Sequence, residues 1–274
     1  MLARTIVAAL LLAGTMTLTT AVAAAPTSAR ATQVALQKAI AAPTRTPANV
    51  ARDRYRHPLQ TLTFFGVKPT DTVVEIWPGG GWYSEILAPF LANGGGTYIG
   101  AASEKGLTGL GKLVTAQPAV YGKVTTAAFP VLAAGGTPVA PGSADVVLTF
   151  RNVHNWMMGK ESFEAQAFAQ MFAMLKPGGT LGVVEHRLSE KADAARERTS
   201  GYVKTSTVRR LAEAAGFRFV GQSQVNKNPR DTTDYPKGVW TLPPNYAEGD
   251  KDRARYAAIG ESDRMTLRFV KPKK

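Results

Sequence analysis

The stretch V-V-E-I-W-P-G-G-G-W-Y at residues 73–83 decides the fold. It is typical of a buried strand, a glycine turn and the start of a helix. Glycines at such a turn let the backbone approach a bound ligand closely, and they direct the first N–H groups of the helix toward it. The dinucleotide fingerprint G-x-G-x-x-G does not fit, because Ser84 stands where the third glycine would be. A strand–helix turn without a ligand is the alternative for this motif taken alone.

Outward from this turn, apolar runs typical of buried strands alternate with helical patterns. The predicted strands are Thr72–Trp77, Thr97–Ala101, Val124–Phe129, Asp145–Phe150, Thr180–Glu185, Phe217–Val225 and Met265–Val270. The predicted helices are Trp82–Leu91, Leu107–Thr115, Phe163–Leu175 and Thr205–Ala215, preceded by one that Asn49 caps and one that begins at Pro58 and stops at Gly66. Such alternation indicates βαβ units, and therefore an α/β fold whose parallel sheet is covered by helices on both faces.

Four landmarks, in this order, resemble class I S-adenosylmethionine-dependent methyltransferases. They are an acid and glycine turn at Glu75–Gly81, a fourth strand at Asp145–Phe150 with the loop Arg151–Trp156, the turn L-K-P-G-G-T-L at 175–181 and A-G-F at 215–217. At finer grain the chain is similar to exported bacterial proteins labelled predicted methyltransferases, through F-G-V-K-P at 65–69, G-Y-V-K at 201–204 and E-S-D-R-M-T-L at 261–267.

This resemblance implies a Rossmann-like class I methyltransferase fold, with a mostly parallel seven-stranded sheet, an antiparallel last strand and helices on both faces. It also implies methyl transfer from S-adenosylmethionine to an unidentified small molecule or envelope component. The implied cofactor-binding residues are Glu75, Pro78, Gly79, Gly80, Gly81 and Glu104, with Glu75 near the methionine amine and the glycines beneath the cofactor.

The implied catalytic residues follow the fourth strand, where the family often places groups that face the substrate. They are Arg151, Asn152 and His154. His154 is the candidate general base that takes a proton from the acceptor. A histidine hydrogen-bonded into the loop for structural reasons is the alternative.

Three positions depart from the family pattern and keep a second function open. Trp77 stands where the motif usually has glycine, so its indole is expected to crowd the methionine end of the cofactor. Ala101 or Ala102 occupies the position of the acid that usually binds the ribose, with Glu104 as the nearest carboxylate. The A-A-F-P segment at 127–130 lacks the Asp that often meets the adenine. These departures favour the alternative that the chain is a non-catalytic envelope ligand-binding protein with the methyltransferase fold.

Two further segments are expected at the edge of the sheet where parallel strands end and ligands bind. The connection 226–264 between the sixth and seventh strands is too long for a simple hairpin, so we predict that it is a substrate lid. An inert surface excursion is the alternative. The segment Glu185-His186-Arg187 ends the fifth strand and is a candidate second acid/base pair, with a structural ion pair as the alternative.

Composition excludes several classes of site. The 274 residues include no Cys and three scattered His, which excludes disulfides and thiolate metal sites and predicts no metal. The segment G-L-T-G-L-G-K-L at 106–113 lacks the final Ser/Thr of a P-loop, and no G-x-S-x-G hydrolase elbow occurs. The net charge of +13 forms no stripe with interleaved aromatics, so we predict no nucleic-acid partner and only weak attraction to anionic envelope surfaces. The oligomeric state stays open.

The first 23 residues predict a cleavable signal peptide. Arg4 precedes an apolar run, and A-V-A at 21–23 matches the A-x-A cleavage pattern. An uncleaved anchor is the alternative, but the run is shorter and richer in Thr than a membrane span, which needs about 20 apolar residues. We therefore predict an exported, periplasmic protein with a flexible or helical segment at 24–47 and a methyltransferase-like domain at 48–274.

Overall fold

A computed structural model describes residues 25–131, 136–159 and 161–273 of the chain. The predicted signal peptide at 1–23 lies outside these residues. The predicted segment 24–47 contains a 16-residue helix, α1 (Ala25–Ile40), which buries Leu36 completely. Among the residues that the structure describes, no helix is both long and apolar enough to cross a membrane.

A mixed sheet forms the centre of the chain. Its strands are β1 (Thr72–Ile76), β2 (Thr97–Ala101), β3 (Thr125–Ala127), β4 (Ala144–Phe150), β5 (Leu175–Leu188), β6 (Val203–Lys204), β7 (Arg218–Ser223) and β8 (Arg264–Val270). The strand order is β3-β2-β1-β4-β5-β8-β7, with β1 to β5 parallel and β8 antiparallel to both of its neighbours. This arrangement confirms the predicted Rossmann-like fold with its mostly parallel sheet and antiparallel last strand.

The main path of the sheet has the predicted seven strands, and one further short strand lies off it. The two-residue strand β6 pairs in parallel with Arg187–Leu188, off the main path of the sheet. It can do so because β5 continues to Leu188, well past Val184, where its pairing with β4 ends.

Helices pack on both faces of the sheet. After α1 they are α2 (Pro47–Val50), α3 (Asp53–Arg56), α4 (Pro58–Phe65), α5 (Ser84–Gly94), α6 (Glu104–Ala116), α7 (Pro118–Tyr121), α8 (Val153–Met158), α9 (Glu164–Met174), α10 (Thr205–Ala214) and α11 (Arg253–Ile259). Successive side chains of a strand point to opposite faces. Ile76 of β1 therefore joins one apolar cluster with Phe168 of α9, while Val73 joins another with Ile86 of α5.

The N-terminal approach to the sheet differs from the prediction in one place. Asn49 does not cap a helix running to Tyr55, because it lies inside the four-residue helix α2 and α3 follows as a separate turn. Its carbonyl oxygen instead accepts a hydrogen bond from Trp82 Nε1 at 2.8 Å, which ties α2 to the region of the glycine turn. The predicted α4 is confirmed, and it stops at Gly66 with a left-handed φ of 75°.

Candidate functional site

A cavity of about 280 Å³ lies at the carboxyl edge of the sheet, at the ends of β1, β4 and β5. Residues of α2 and α3 line it on one side, and residues of the long connection between β7 and β8 line it on the other. The charged and titratable residues of its wall include Arg52, Arg56, Glu75, Arg151, His154 and Glu261. No residue of β2 or β3 lines it.

The predicted lid, residues 226–264, supplies Trp240, Asn245 and Ser262 to the cavity wall. Part of this segment packs very closely on the chain before β6. A Cβ atom at Gly238 would lie 2.2 Å from the Ser200 carbonyl oxygen, and one at Gly201 would lie 2.5 Å from Val239 Cγ1. The segment therefore forms a tightly fitted wall of the cavity, and its opening as a lid stays a prediction.

The glycine turn opens onto the cavity through Pro78, Gly79 and Gly80. A Cβ atom at Gly80 would meet nothing within 4 Å, so this position faces open space. Gly81, with φ of 78°, does not line the cavity, and a Cβ there would lie 2.5 Å from Leu113 Cδ1 of α6. Glu104 does not line the cavity either, and it is exposed at the start of α6. Two residues of the predicted cofactor-binding set, Gly81 and Glu104, are therefore outside the cavity wall.

Glu75 ends β1 as a buried carboxyl group. Its Oε2 atom accepts hydrogen bonds from Ser84 Oγ at 2.9 Å and from Tyr98 Oη at 2.6 Å. Burial raises the pKa of Glu75 to about 7, although both hydrogen bonds and the nearby Arg151 oppose the shift. Ser84 stands where the dinucleotide fingerprint has its third glycine. In this chain its hydroxyl group donates a hydrogen bond to the Glu75 carboxylate.

Trp77 adopts a left-handed φ of 50°, and its indole turns toward the end of β3. Its Nε1 atom donates a hydrogen bond to the Phe129 carbonyl oxygen at 3.1 Å. The ring packs edge-on against Trp156 with centroids 6.1 Å apart, and against Phe163 at 6.0 Å. Trp77 also lines the cavity beside Glu75 and Pro78. The expected crowding of the methionine end of the cofactor by its indole stays a prediction.

Arg151 and Asn152, both predicted to be catalytic, lie on the cavity wall with different surroundings. Asn152 Nδ2 donates to the Ile76 carbonyl oxygen at 2.8 Å and to Thr149 Oγ1 at 3.1 Å, so it joins the ends of β1 and β4. The Arg151 guanidinium has no hydrogen bond or ion pair with any described residue. Burial, together with Arg264 and Arg52, lowers the pKa of Arg151 to about 10 against the opposing effect of Glu261.

His154 and Glu185 form a buried pair that no sequence pattern predicted. His154 Nδ1 lies 2.9 Å from Glu185 Oε1, and the backbone N–H groups of His154 and His186 also donate to the same carboxylate. Because Nδ1 faces Glu185, Nε2 is the nitrogen available to the cavity. This arrangement orients His154 as a general base requires.

His186 completes a group of three potential metal ligands with His154 and Glu185, whose ligating atoms lie within 4.8 Å of one another. His186 Nδ1 is already hydrogen-bonded to Ser262 Oγ at 2.5 Å. Burial is the main cause that lowers the pKa of His186 well below its ordinary value, and His154 and Arg151 add to it. Because Glu185 and His186 Nδ1 are hydrogen-bonded to other groups of the chain, we interpret the group as a hydrogen-bonded network.

Sequence reasoning missed the arginines that face this cavity from α3. The run R-D-R-Y-R at 52–56 carries no motif that would place it at this cavity. In the structure Arg52 and Arg56 reach Glu261, about 200 residues later, with distances of 2.6 and 3.2 Å from their Nε atoms to the carboxylate. Burial would raise the pKa of Glu261, but Arg264, Arg56 and Arg52 outweigh it and hold the value at about 2.

Solved structures with a similar fold were found. A SAM-dependent methyltransferase from Aquifex aeolicus has a TM-score of 0.55 and 14% identity, over 87% of this chain and 98% of that chain. The 4+2 cyclase SpnF has a TM-score of 0.56 and 14% identity, over 90% and 97%. Phosphoethanolamine N-methyltransferase 2 of Haemonchus contortus, in complex with S-adenosyl-L-methionine, has a TM-score of 0.52 and 18% identity, over 80% and 53%.

These likenesses, all below 25% identity, establish the fold that class I methyltransferases share. No protein-family model and no curated protein sequence matches the chain. The role of each residue in the cavity therefore has to be argued from its own contacts.

Proposed function

We propose that this chain is an S-adenosylmethionine-dependent methyltransferase that acts on a small molecule bound in the cavity. One observation carries the proposal. The acid and glycine turn that ends β1 opens onto the same cavity as the His154–Glu185 pair. A cofactor-binding element and a general base therefore face one cavity, on a fold shared with methyltransferases.

The residues at the end of β1 suit the amino-acid end of the cofactor. Both hydrogen bonds to Glu75 involve Oε2, which leaves Oε1 to accept from the cofactor's amine. Gly79 and Gly80 present backbone without side chains to the cavity. The adenosine part of the cofactor can bind at the end of β3 only if the Trp77 indole leaves its position between Phe129 and Trp156. The cofactor, when bound, supplies a methyl group on a positively charged sulfur.

The chain itself positions the acceptor and handles its proton. His154 Nε2 accepts the proton from the acceptor's hydroxyl or amine, while Glu185 holds the Nδ1 proton and fixes the ring. Asn152 keeps the ends of β1 and β4 together, so the glycine turn and His154 stay at a fixed separation. Methyl transfer needs little more than in-line placement of the two reactants, and a cavity that both groups line can supply such placement.

A second function is favoured by the position of Trp77. The indole fills the region at the end of β3, and the fold also supports other chemistry, as a solved neighbour described as a cyclase illustrates. A non-catalytic ligand-binding protein of the envelope would use the cavity at β1, β4 and β5 and would never bind an adenosyl group.

Calorimetric titration of the purified protein with S-adenosylmethionine and S-adenosylhomocysteine separates the two functions. The sharpest variant is Gly80→Leu, since Gly80 has no left-handed φ and its new side chain would enter open space. Gly111→Leu is the matched control, because Gly111 also has open space around it but lies on α6 away from the cavity. We expect micromolar binding that Gly80→Leu abolishes and Gly111→Leu keeps. A folded protein that binds neither ligand at millimolar concentration would refute the methyltransferase proposal.

The exported location is a further part of this proposal. It is supported by the A-V-A segment at 21–23 and by the resemblance to exported bacterial proteins. An acceptor in the envelope, and weak attraction of the positively charged chain to anionic surfaces, would follow from that location. N-terminal sequencing of the protein from a periplasmic fraction should begin at Ala24. Recovery of the intact chain from the cytoplasm alone would contradict export.

A further inference from the structure

We propose that the cavity binds an oxyanion group, a carboxylate or a phosphate, of the small molecule that is methylated, and that Arg56 and Arg151 hold it. The evidence for the anion site is the contacts of these two arginines. Its assignment to the methyl acceptor rests on the proposed function.

Arg56 provides the first observation. Only 2% of the residue is exposed, and its Nε atom donates to Glu261. Its two terminal nitrogens, Nη1 and Nη2, are buried without a hydrogen-bond partner among the described residues. Leaving a buried charged donor unpaired is unfavourable, because the donor loses its hydrogen bonds to water and gains none in return. Two such donors on one side chain that lines a cavity indicate that a ligand completes them.

Arg151 provides the second observation. Its side chain lines the same cavity and forms no ion pair or hydrogen bond with any described residue, while burial lowers its pKa. Glu261, the nearby carboxylate, is already shared by Arg52, Arg56 and Arg264. Glu75, the other carboxylate on the wall, is bonded to Ser84 and Tyr98. The protein therefore offers Arg151 no anion of its own.

The chemistry of the donors selects the ligand class. The planar guanidinium fork matches the two oxygens of a carboxylate or phosphate. Arg56 is also held in place, because its guanidinium carbon lies 4.7 Å from the centre of the Trp82 ring. A donor fixed before binding loses less entropy when the ligand arrives. The cavity of about 280 Å³ limits the ligand to a small molecule.

The rival occupant is the carboxylate of the cofactor's own methionine. The experiment must therefore follow the anion and the cofactor separately. Inorganic phosphate and acetate serve as anion probes in calorimetry at constant ionic strength, and S-adenosylhomocysteine serves as the cofactor probe. The variants are Arg151→Gln and, as a milder change in the buried position, Arg56→Lys. Arg209→Gln is the control, since Arg209 is exposed on α10 and contacts Glu213 and the Phe219 ring, away from the cavity.

We expect at least one anion probe to bind, with affinity reduced about tenfold or more by Arg151→Gln and left unchanged by Arg209→Gln. Arg56→Lys should also weaken binding, because lysine keeps the charge but loses the fork. Binding of the anion to protein saturated with S-adenosylhomocysteine would support assignment to the acceptor.

Three outcomes would each contradict one part of this argument: the anion site, the methyltransferase proposal, or the assignment of the anion to the acceptor. If neither anion binds while S-adenosylhomocysteine does, the anion site is wrong and the methyltransferase proposal survives. If an anion binds and S-adenosylhomocysteine does not, the anion site stands and the methyltransferase proposal falls. If the two ligands compete and Arg151→Gln weakens both equally, the arginines bind the cofactor's carboxylate and the assignment to the acceptor is overturned.

Discussion

The two halves of the sheet's carboxyl edge are built in opposite ways. At the ends of β2 and β3 the space is apolar and filled, with Trp77 packed against Trp156 and Phe163. At the ends of β1, β4 and β5 the space is open, polar and positively charged. Both halves follow from one backbone fold, so the fold alone does not say where a ligand binds.

The difference shows how side-chain size and charge select a binding region on a common scaffold. Ala101, Ala102 and Phe129 are each at most 1% exposed at the filled half, and their apolar side chains offer no hydrogen bond to a ribose or a purine. The open half instead concentrates arginines around one carboxylate, Glu261. The chemistry of this chain is therefore expected to centre on the open half.

The largest expected effect comes from removing the charge of Glu261, which forms ion pairs with arginines of the open half. Glu261→Gln should lower the free energy of unfolding at pH 7 by about 3–5 kcal/mol, because it leaves buried arginines uncompensated. Chemical denaturation measures this loss, with the exposed Glu213→Gln as the control. Equal stability of the two variants would show that the arginines do not depend on Glu261.

The same carboxylate predicts an acid transition. The pKa of Glu261 is about 2 in the folded chain, against an ordinary value of 4.5. Its contribution to stability is therefore complete above about pH 4.5 and is lost as the pH falls toward 2. Over that range we expect a loss of about 3 kcal/mol, and denaturant titrations at each pH should show it in the parent protein and not in Glu261→Gln.

Opening the filled half should have a somewhat smaller effect on stability and an opposite effect on cofactor binding. Trp77→Ala removes a large aromatic side chain and should cost roughly 3 kcal/mol, while it tightens S-adenosylhomocysteine binding by clearing the end of β3. Trp77→Gly makes the same space and also relieves the left-handed φ of 50°. If the cofactor binds no better to either variant, the indole is not what closes this half.

Asn152→Ala tests the hydrogen bonds by which Asn152 joins the ends of β1 and β4. The change removes two hydrogen bonds and leaves the Ile76 carbonyl oxygen without this donor. We expect a loss of about 1–3 kcal/mol in urea denaturation. A variant as stable as the parent protein, but impaired in ligand binding, would instead support the direct catalytic role predicted from the sequence.

The smallest effect concerns Glu75, which stands where the two halves meet. Its pKa of about 7 means that the carboxylate becomes charged as the pH rises from 6 to 8. Binding of the cofactor's positively charged amine should therefore strengthen with pH, by up to about tenfold per unit below pH 7. Calorimetry across this range checks the slope, and Glu75→Gln should remove it. A slope that persists in Glu75→Gln would belong to another group.

Sequence periodicity predicted the α/β class of this chain, and the family resemblance added the antiparallel last strand. Strands that are buried on both faces and helices with one apolar face leave local patterns, so the bounds of β1, β2, β4, α5 and α6 could be predicted to within about three residues. The four-residue helix α7 was not predicted. The glycine turn was recognisable for a similar reason, because it needs particular residue types at adjacent positions. The edge of the sheet that binds ligands then followed from the parallel strand order.

Only the tertiary structure decided which side chains meet at that edge. The pairing of His154 with Glu185, the convergence of Arg52 and Arg56 on Glu261 and the direction of the Trp77 indole join residues 31 to 209 positions apart. Such contacts leave no local pattern, because they depend on how separate elements pack and not on the spacing of neighbours along the chain. Burial then sets the pKa values and unpaired donors of these groups, and burial is a property of the folded chain.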